Sequence, residues 1–334
     1  MTKKVLVTVW ERDTNELASR LPEGGTLQTA IENRIICLTG LAATAMQNIS
    51  SSNFKPDYHL VVAPEYLFMK TGASPYLDED SKELIRARCK AFIDTNVTTI
   101  LVPGTVLWAK SLIRPPTRAT SRTGQLKQTP RNDASRLQKY QAASDQTLEN
   151  LPSNERVYRG YRQRFFQQVG GWFDGQPHQT RRFARNSAFF ITAHSVTTQH
   201  KRYENFVEEL AEPDQNVDWT DTIFIPGGTS PIPDFGNMSF GLEICAEHDV
   251  GPTAFETAAD LDFHIIVSAS IPAQAKKSAA RTGGFIVHAD SKHSSVYKMT
   301  SGTTFQEQLC VHNFKVVDNG ASAGSAKSFF CELA

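Results

Sequence analysis

The stretch Phe240-Gly241-Leu242-Glu243-Ile244-Cys245-Ala246-Glu247-His248-Asp249 changes from apolar to polar at a single cysteine. Residues 239–244 have the composition of a short buried strand, and the run 253–261 is expected to be a helix, so Cys245 falls on a strand-to-helix turn. A thiol on such a turn is presented to substrate, and a helix N-terminus favours its thiolate. An isolated cysteine is more often packed as a small hydrophobe. Gly241 before it and the polar run Glu247-His248-Asp249 after it argue against that packing here.

Outward from this turn the chain alternates strands and helices. Towards the N-terminus, 5–10 reads as a first strand, and Leu27, Ile31, Ile35, Leu38, Ala42 and Ala45 recur at helical spacing. Residues 59–63 read as a buried strand that delivers Pro64-Glu65 at its end. Ser81 is placed to cap a helix through about Phe92, and 99–102 is a strand ending at Pro103-Gly104. Strands are also expected at 188–191, 222–225, 264–268, 285–289, 296–299 and 311–316, with a turn at Gly227-Gly228. Such alternation predicts an α/β fold. The pattern breaks over about 109–179, which is polar, rich in arginine and without sustained periodicity apart from a possible helix at 135–148. That segment is expected to be an insertion, acting as a lid or an interface, within one domain spanning 1–334.

Two further residues have distinctive settings: Glu65 in Val61-Val62-Ala63-Pro64-Glu65-Tyr66, and Lys201 in Gln199-His200-Lys201-Arg202-Tyr203. With Cys245 they make a chemically complete set. A thiol attacks a carbonyl or nitrile carbon as thiolate, so it needs a base and nearby positive charge. The tetrahedral intermediate needs cationic or N–H stabilisation, and the departing amine needs a proton. A carboxylate at the end of an apolar run is costly to bury unless it is paired or functional.

The order and flanks of these three residues, with Arg185-Asn186-Ser187-Ala188-Phe189-Phe190-Ile191 ahead of the lysine turn, resemble the carbon–nitrogen hydrolase (nitrilase-like) superfamily. The resemblance implies a four-layer αββα sandwich of the nitrilase type, with Glu65 as general base and acid, Lys201 as oxyanion stabiliser and Cys245 as the nucleophile. It implies the Ala246 N–H as second oxyanion donor, an auxiliary glutamate at Glu209 or Glu208, with Glu209 preferred, and Tyr66, Ala246, Glu247 and Ser268 around the substrate. A small amide, carbamoyl compound or nitrile is the implied substrate class, without cofactor or metal, in a homo-oligomer. Two features depart from the family pattern: Ala246 stands where members often carry an aromatic residue, and Asp249-Val250-Gly251-Pro252 replaces an Arg-aromatic-Pro-Glu run. An alternative reading is a catalytically weak or inactive member whose arginine-rich insertion binds a protein or a polyanion.

Composition removes other classes. The chain has 334 residues, 40% hydrophobic and 21% charged, which suits a large-cored soluble enzyme. A formal net charge of +0 gives no global case for nucleic acid or an anionic membrane. The apolar run 5–10 is too short for a signal peptide, and no stretch has the length of a membrane span. Five scattered cysteines without metal-ligand spacing point to reduced thiols in the cytoplasm. His248, His264, His288 and His293 lack zinc-site spacing and read as hydrogen-bonded structural histidines. Ser239, in Asn237-Met238-Ser239-Phe240-Gly241, misses the first glycine of a nucleophile elbow and reads as strand.

Overall fold

The computed structural model describes residues 2–72, 74–111, 182–202, 222–224, 227, 232–250, 260–318 and 321–334. Its strands are β1 (Lys3–Glu11), β2 (Tyr58–Val62), β3 (Thr99–Val102), β4 (Thr105–Ser111), β5 (Arg182–Ile191), β6 (Val196–His200), β7 (Thr222–Phe224), β8 (Asp234–Phe235), β9 (Met238–Ile244), β10 (Leu261–Val267), β11 (Ala280–Ala289), β12 (Ser295–Ser301), β13 (Thr304–Glu307), β14 (Cys310–Asp318) and β15 (Ala321–Leu333). The described helices are α1 (Leu27–Asn48), α2 (Glu79–Thr95) and α3 (Ala246–Val250).

Two sheets form. The first runs β14-β15-β1-β2-β3-β5-β4, with β6 and β7 also paired to β5; the second runs β13-β12-β11-β10-β9-β8. In the first, β1, β2 and β3 are parallel, with Val5 opposite Tyr58 and His59 opposite Thr99. In the second, β9, β10 and β11 are parallel, with Val267 opposite both Ile244 and Ala289. Alternation along each strand assigns the layers. Leu60 and Val62 join Val5, Val7, Phe240, Leu242, Phe263 and Val287 in a core between the sheets. Val61 and Ala63, one residue out of phase, instead meet Ile35 and Leu38 of α1 and Ile85 and Ile93 of α2. The inter-sheet core is aromatic, with Phe263 stacked between Phe240 at 5.3 Å and Phe285 at 5.5 Å. Rings buried this way contribute roughly 3–5 kcal/mol each relative to alanine.

On the far side of the second sheet lies α3, through the contact of His248 with Glu243 and His264. The layers are therefore helix, sheet, sheet, helix: an α/β sandwich of the αββα kind. The strands at 5–10, 59–63, 99–102, 188–191, 264–268, 285–289, 296–299 and 311–316 and the first helix all form, mostly with longer bounds. Three expectations are corrected. Asp78, whose carboxylate accepts the Ser81 N–H at 2.7 Å, caps α2 in place of Ser81. Residues 109–111 belong to β4, paired with β5, and not to the insertion. Leu261 begins β10, so a helix cannot extend to it. The remainder of 109–179, including 135–148, and 251–259 lie outside the described residues. Among the described residues no helix is long and apolar enough to cross a membrane.

Burial makes one part of the core sensitive to acid. His59 in β2 is enclosed, its Nε2 at 2.9 Å from Thr8 Oγ1, and desolvation holds its pKa down from 6.5 to about 3. The ring is thus neutral when folded and protonates readily once unfolded. Its contribution is complete above pH 6.5 and is lost as pH falls towards 3, at about 1.4 kcal/mol per pH unit. Urea unfolding across this range should show a shallower pH slope for His59→Leu than for the unmodified chain; equal slopes would remove His59 as the cause.

Candidate active site

Glu65 leaves the C-terminal end of β2, where its backbone N–H donates to the Ser268 carbonyl at 3.3 Å and so bridges the two sheets. Lys201 follows β6 in a turn held by two backbone bonds, from its own N–H to Asn186 O at 2.8 Å and from Gly227 N–H to its carbonyl at 2.9 Å. A side chain at Gly227 would run into the His200 carbonyl, which is why glycine stands there. Cys245 follows β9 directly, its N–H donating to Val267 O at 2.9 Å and its carbonyl accepting the His248 N–H at 2.9 Å. Ends of parallel strands are where open α/β sheets place their sites.

The three side chains meet in the interior. Glu65 and Lys201 are fully buried and Cys245 is 1% exposed. Lys201 Nζ donates to Glu65 Oε1 at 2.7 Å, although 136 residues separate them. The Asn186 amide donates to the same oxygen at 2.9 Å. The ammonium also lies 3.4 Å from the Tyr66 hydroxyl and 5.5 Å from the centre of its ring. Removing either member of such a desolvated pair leaves a bare charge, at a cost of about 3–5 kcal/mol. Tyr66 and Cys245 both hold positive φ, +59° and +48°. Non-glycine residues adopt this only where surroundings impose it, at about 1–3 kcal/mol each, and such strain clusters at working sites.

Burial pushes the Cys245 thiol above its ordinary range, and the charge of Glu65 pushes it further; Lys201 and a hydrogen bond from the Ala269 backbone oppose them. The arithmetic of charge explains the direction. One carboxylate, one ammonium and a neutral thiol sum to zero, whereas a resting thiolate would bury a net negative charge. This corrects the expectation of a helix-stabilised thiolate: burial and the Glu65 charge prevail, and the sulfur rests protonated beside the carboxylate that can take its proton. Glu65 hydrogen-bonds the thiol, and Ser268 Oγ lies 3.9 Å from the sulfur.

Of the other residues expected around the substrate, Tyr66 adjoins Lys201, Ser268 adjoins Cys245, and Ala246 opens α3 directly after Cys245. Glu247 is fully buried, and both of its oxygens are engaged by the protein. Oε2 accepts from Ile244 N–H at 2.8 Å, and Oε1 accepts from Arg202 N–H at 2.7 Å and Gln199 Nε2 at 3.3 Å. Glu208 and Glu209 lie outside the described residues. Asn186 was not read from the sequence as a site residue. The signal was present as an amide amid the apolar residues of β5, which must find partners when buried.

A second buried cluster, Glu243, His248 and His264, brings together ligand types that could hold a metal. Its hydrogen bonds decide otherwise. Gln274 N–H donates to His248 Nε2 at 2.9 Å and Ala279 N–H to His264 Nδ1 at 3.1 Å, so the protons sit on the opposite ring nitrogens. Those nitrogens lie 2.9 and 2.8 Å from Glu243 Oε2 and donate to it. Both lone pairs a metal would need are thus turned away. Burial alone would raise the Glu243 pKa, but His264 and the two imidazole hydrogen bonds outweigh it and hold the carboxyl at about 2. Ser239 exchanges hydrogen bonds with Asp262, its N–H donating at 2.9 Å and its Oγ accepting from Asp262 N–H at 3.0 Å. It is strand structure.

No family model matches the chain, and no curated protein matches it. Among solved structures, it resembles nitrilase-superfamily amidases. A mutant amidase of that superfamily from Nesterenkonia sp. AN1 aligns with a TM-score of 0.46 at 9% identity, covering 98% of this chain and 90% of that one. The NitN amidase of the same source, after tag removal, gives 0.44 at 9% identity over 98% and 92%. A CN-hydrolase superfamily protein from Xanthomonas campestris, with an arsenic adduct in its active site, gives 0.43 at 9% identity over 98% and 90%.

Proposed function

We propose that this chain is a member of the carbon–nitrogen hydrolase superfamily that cleaves a non-peptide carbon–nitrogen bond in a small amide, carbamoyl compound or nitrile, through a covalent intermediate on Cys245. The observation that supports this reading is the meeting of Glu65, Lys201 and Cys245, distant in sequence, in one buried cluster whose charges balance only with a neutral thiol.

In this mechanism Glu65 takes the Cys245 proton as sulfur attacks the substrate carbon, and the electron pair of the C=O or C≡N bond moves to its heteroatom. Lys201, with the Ala246 N–H, faces the charge that develops there. For an amide, protonated Glu65 gives its proton to the leaving amine and a thioester remains; for a nitrile it gives that proton to the nitrogen to form a thioimidate, to which a first water adds so that ammonia leaves and the same thioester remains. Glu65 then takes a proton from water, the hydroxyl adds to the same carbon, and collapse returns the thiol. Tyr66 and Ser268 border the reacting carbon, Glu209 is the candidate auxiliary carboxylate, and a homo-oligomer without cofactor belongs to the same proposal.

Mass spectrometry of the protein incubated with amides, carbamoyl amino acids and nitriles should find an acyl or thioimidate adduct on the peptide carrying Cys245. Turnover without any adduct there would overturn the mechanism. Salt-sensitive binding of a polyanion with no turnover of any panel member would favour the binding-protein reading instead.

A further inference from the structure

We propose that Glu247 is a positioning residue, a carboxylate clamp that fixes the lysine turn against the cysteine turn; this rests on the reading of Lys201 and Cys245 as reacting partners. The peptide groups it grips are the immediate neighbours of those two residues. Oε2 accepts from the N–H of Ile244, one residue before the nucleophile, at 2.8 Å. Oε1 accepts from the N–H of Arg202, one residue after the lysine, at 2.7 Å, and from Gln199 at 3.3 Å. One oxygen therefore serves each sheet, and the side chain is fully buried, where charge-assisted bonds to peptide N–H groups are strong.

Strand geometry explains why such a clamp is needed. Cys245 N–H points to β10, bonding Val267 O, so the N–H of Ile244 points to the opposite edge of β9. Among the described residues, β8 pairs with β9 only at Met238 and Ser239, far short of Ile244. Glu247, reaching back three residues from α3, meets the N–H that the sheet leaves over. The Arg202 guanidinium, with Nε 3.8 Å from Oε1, balances the charge. Both oxygens already accept peptide N–H donors and the side chain is fully buried, so the geometry favours positioning over substrate contact.

The test is Glu247→Asp, which keeps the charge and shortens the reach by ~1.5 Å, so that both peptide groups cannot be held together. If the ammonium moves away from the sulfur, kcat should fall about 100-fold with KM within about threefold. The pH profile of Cys245 alkylation by iodoacetamide should move to higher pH as Lys201 stabilises the thiolate less. A raised KM with unchanged kcat would make Glu247 a substrate contact, and wild-type kinetics with an unshifted alkylation profile would remove any role; either overturns the proposal. Alkylation needs no substrate, so it tests the clamp even if the unmodified protein turns over no amide, carbamoyl compound or nitrile. Should the variant not fold, hydrogen exchange in the unmodified protein decides the matter. The Ile244 and Arg202 amides should exchange as slowly as core-strand amides, and exchange at the rate of open peptide groups would sink the clamp.

Discussion

Cys245→Ala is expected to bring turnover down to the uncatalysed background while the protein stays folded. The two consequences separate because, in the proposed mechanism, the sulfur does chemistry that no neighbour can replace, yet it supplies little core volume. Its loss from a buried position costs about 1 kcal/mol. The unusual backbone at this position, φ +48°, adds no penalty specific to the variant, since alanine and cysteine both carry a Cβ. Removing the thiol also removes the group whose ionisation the pocket disfavours, leaving the Glu65 and Lys201 pair intact at 2.7 Å. Circular dichroism should match the unmodified protein, the urea midpoint should fall only by the amount that about 1 kcal/mol implies, and steady-state assays on any substrate that labels Cys245 should read the uncatalysed background. Retained turnover would eliminate the cysteine mechanism.

Glu65→Gln should lower kcat by about two to four orders of magnitude, the usual contribution of a positioned proton carrier. The amide oxygen can still accept from Lys201 Nζ and Asn186 Nδ2, so the shape of the site survives. What is lost is the negative charge and the capacity to take a proton. The same substitution should make Cys245 easier to ionise, because the Glu65 charge is one of the causes that raise its pKa and Lys201 would then act unopposed. Alkylation of Cys245 should therefore proceed at lower pH in the variant than in the unmodified protein, even as catalysis falls. A thiol that becomes more reactive while the enzyme becomes slower is hard to explain by misfolding. Parallel loss of both, or a rate within a few fold of the unmodified protein, would count against Glu65 as the base.

The parts of the fold that could be read from the sequence were those whose own residues carry the pattern. The valine and isoleucine runs of β2, β3 and β10 declare buried strands, and the spacing of Ile31, Ile35 and Leu38 declares α1. β15 was invisible for the opposite reason. Its first half, Ala321 to Ser328, is mostly alanine, serine and glycine, and it is a strand because β1 offers a full antiparallel edge, Lys3 to Glu11, against Leu333 to Ser325. Gly324 lies next to that edge with φ +86°, where a side chain would strike the Glu11 carbonyl. The site followed the same rule. Glu65, Lys201 and Cys245 stand in local settings that announce them, whereas the roles of Asn186 and Glu247 depend on partners 121 and 45 residues away. The charge state of the thiol was misjudged because a helix start is visible in sequence and the desolvation of a closed pocket is not.

The order in which the chain would emerge from a ribosome gives the two-sheet arrangement another meaning. Glu65 and Lys201 follow strands of the sheet begun by β1, and Cys245 follows a strand of the sheet built from β9 to β11, so neither sheet alone brings the three side chains together. The first sheet gains its pairing from β1 to β15 only when the last strand arrives. Under the proposed mechanism, a nascent chain would carry Cys245 as an ordinary thiol until β15 docks on β1, and reactivity towards carbonyl carbon would switch on only once both sheets are complete.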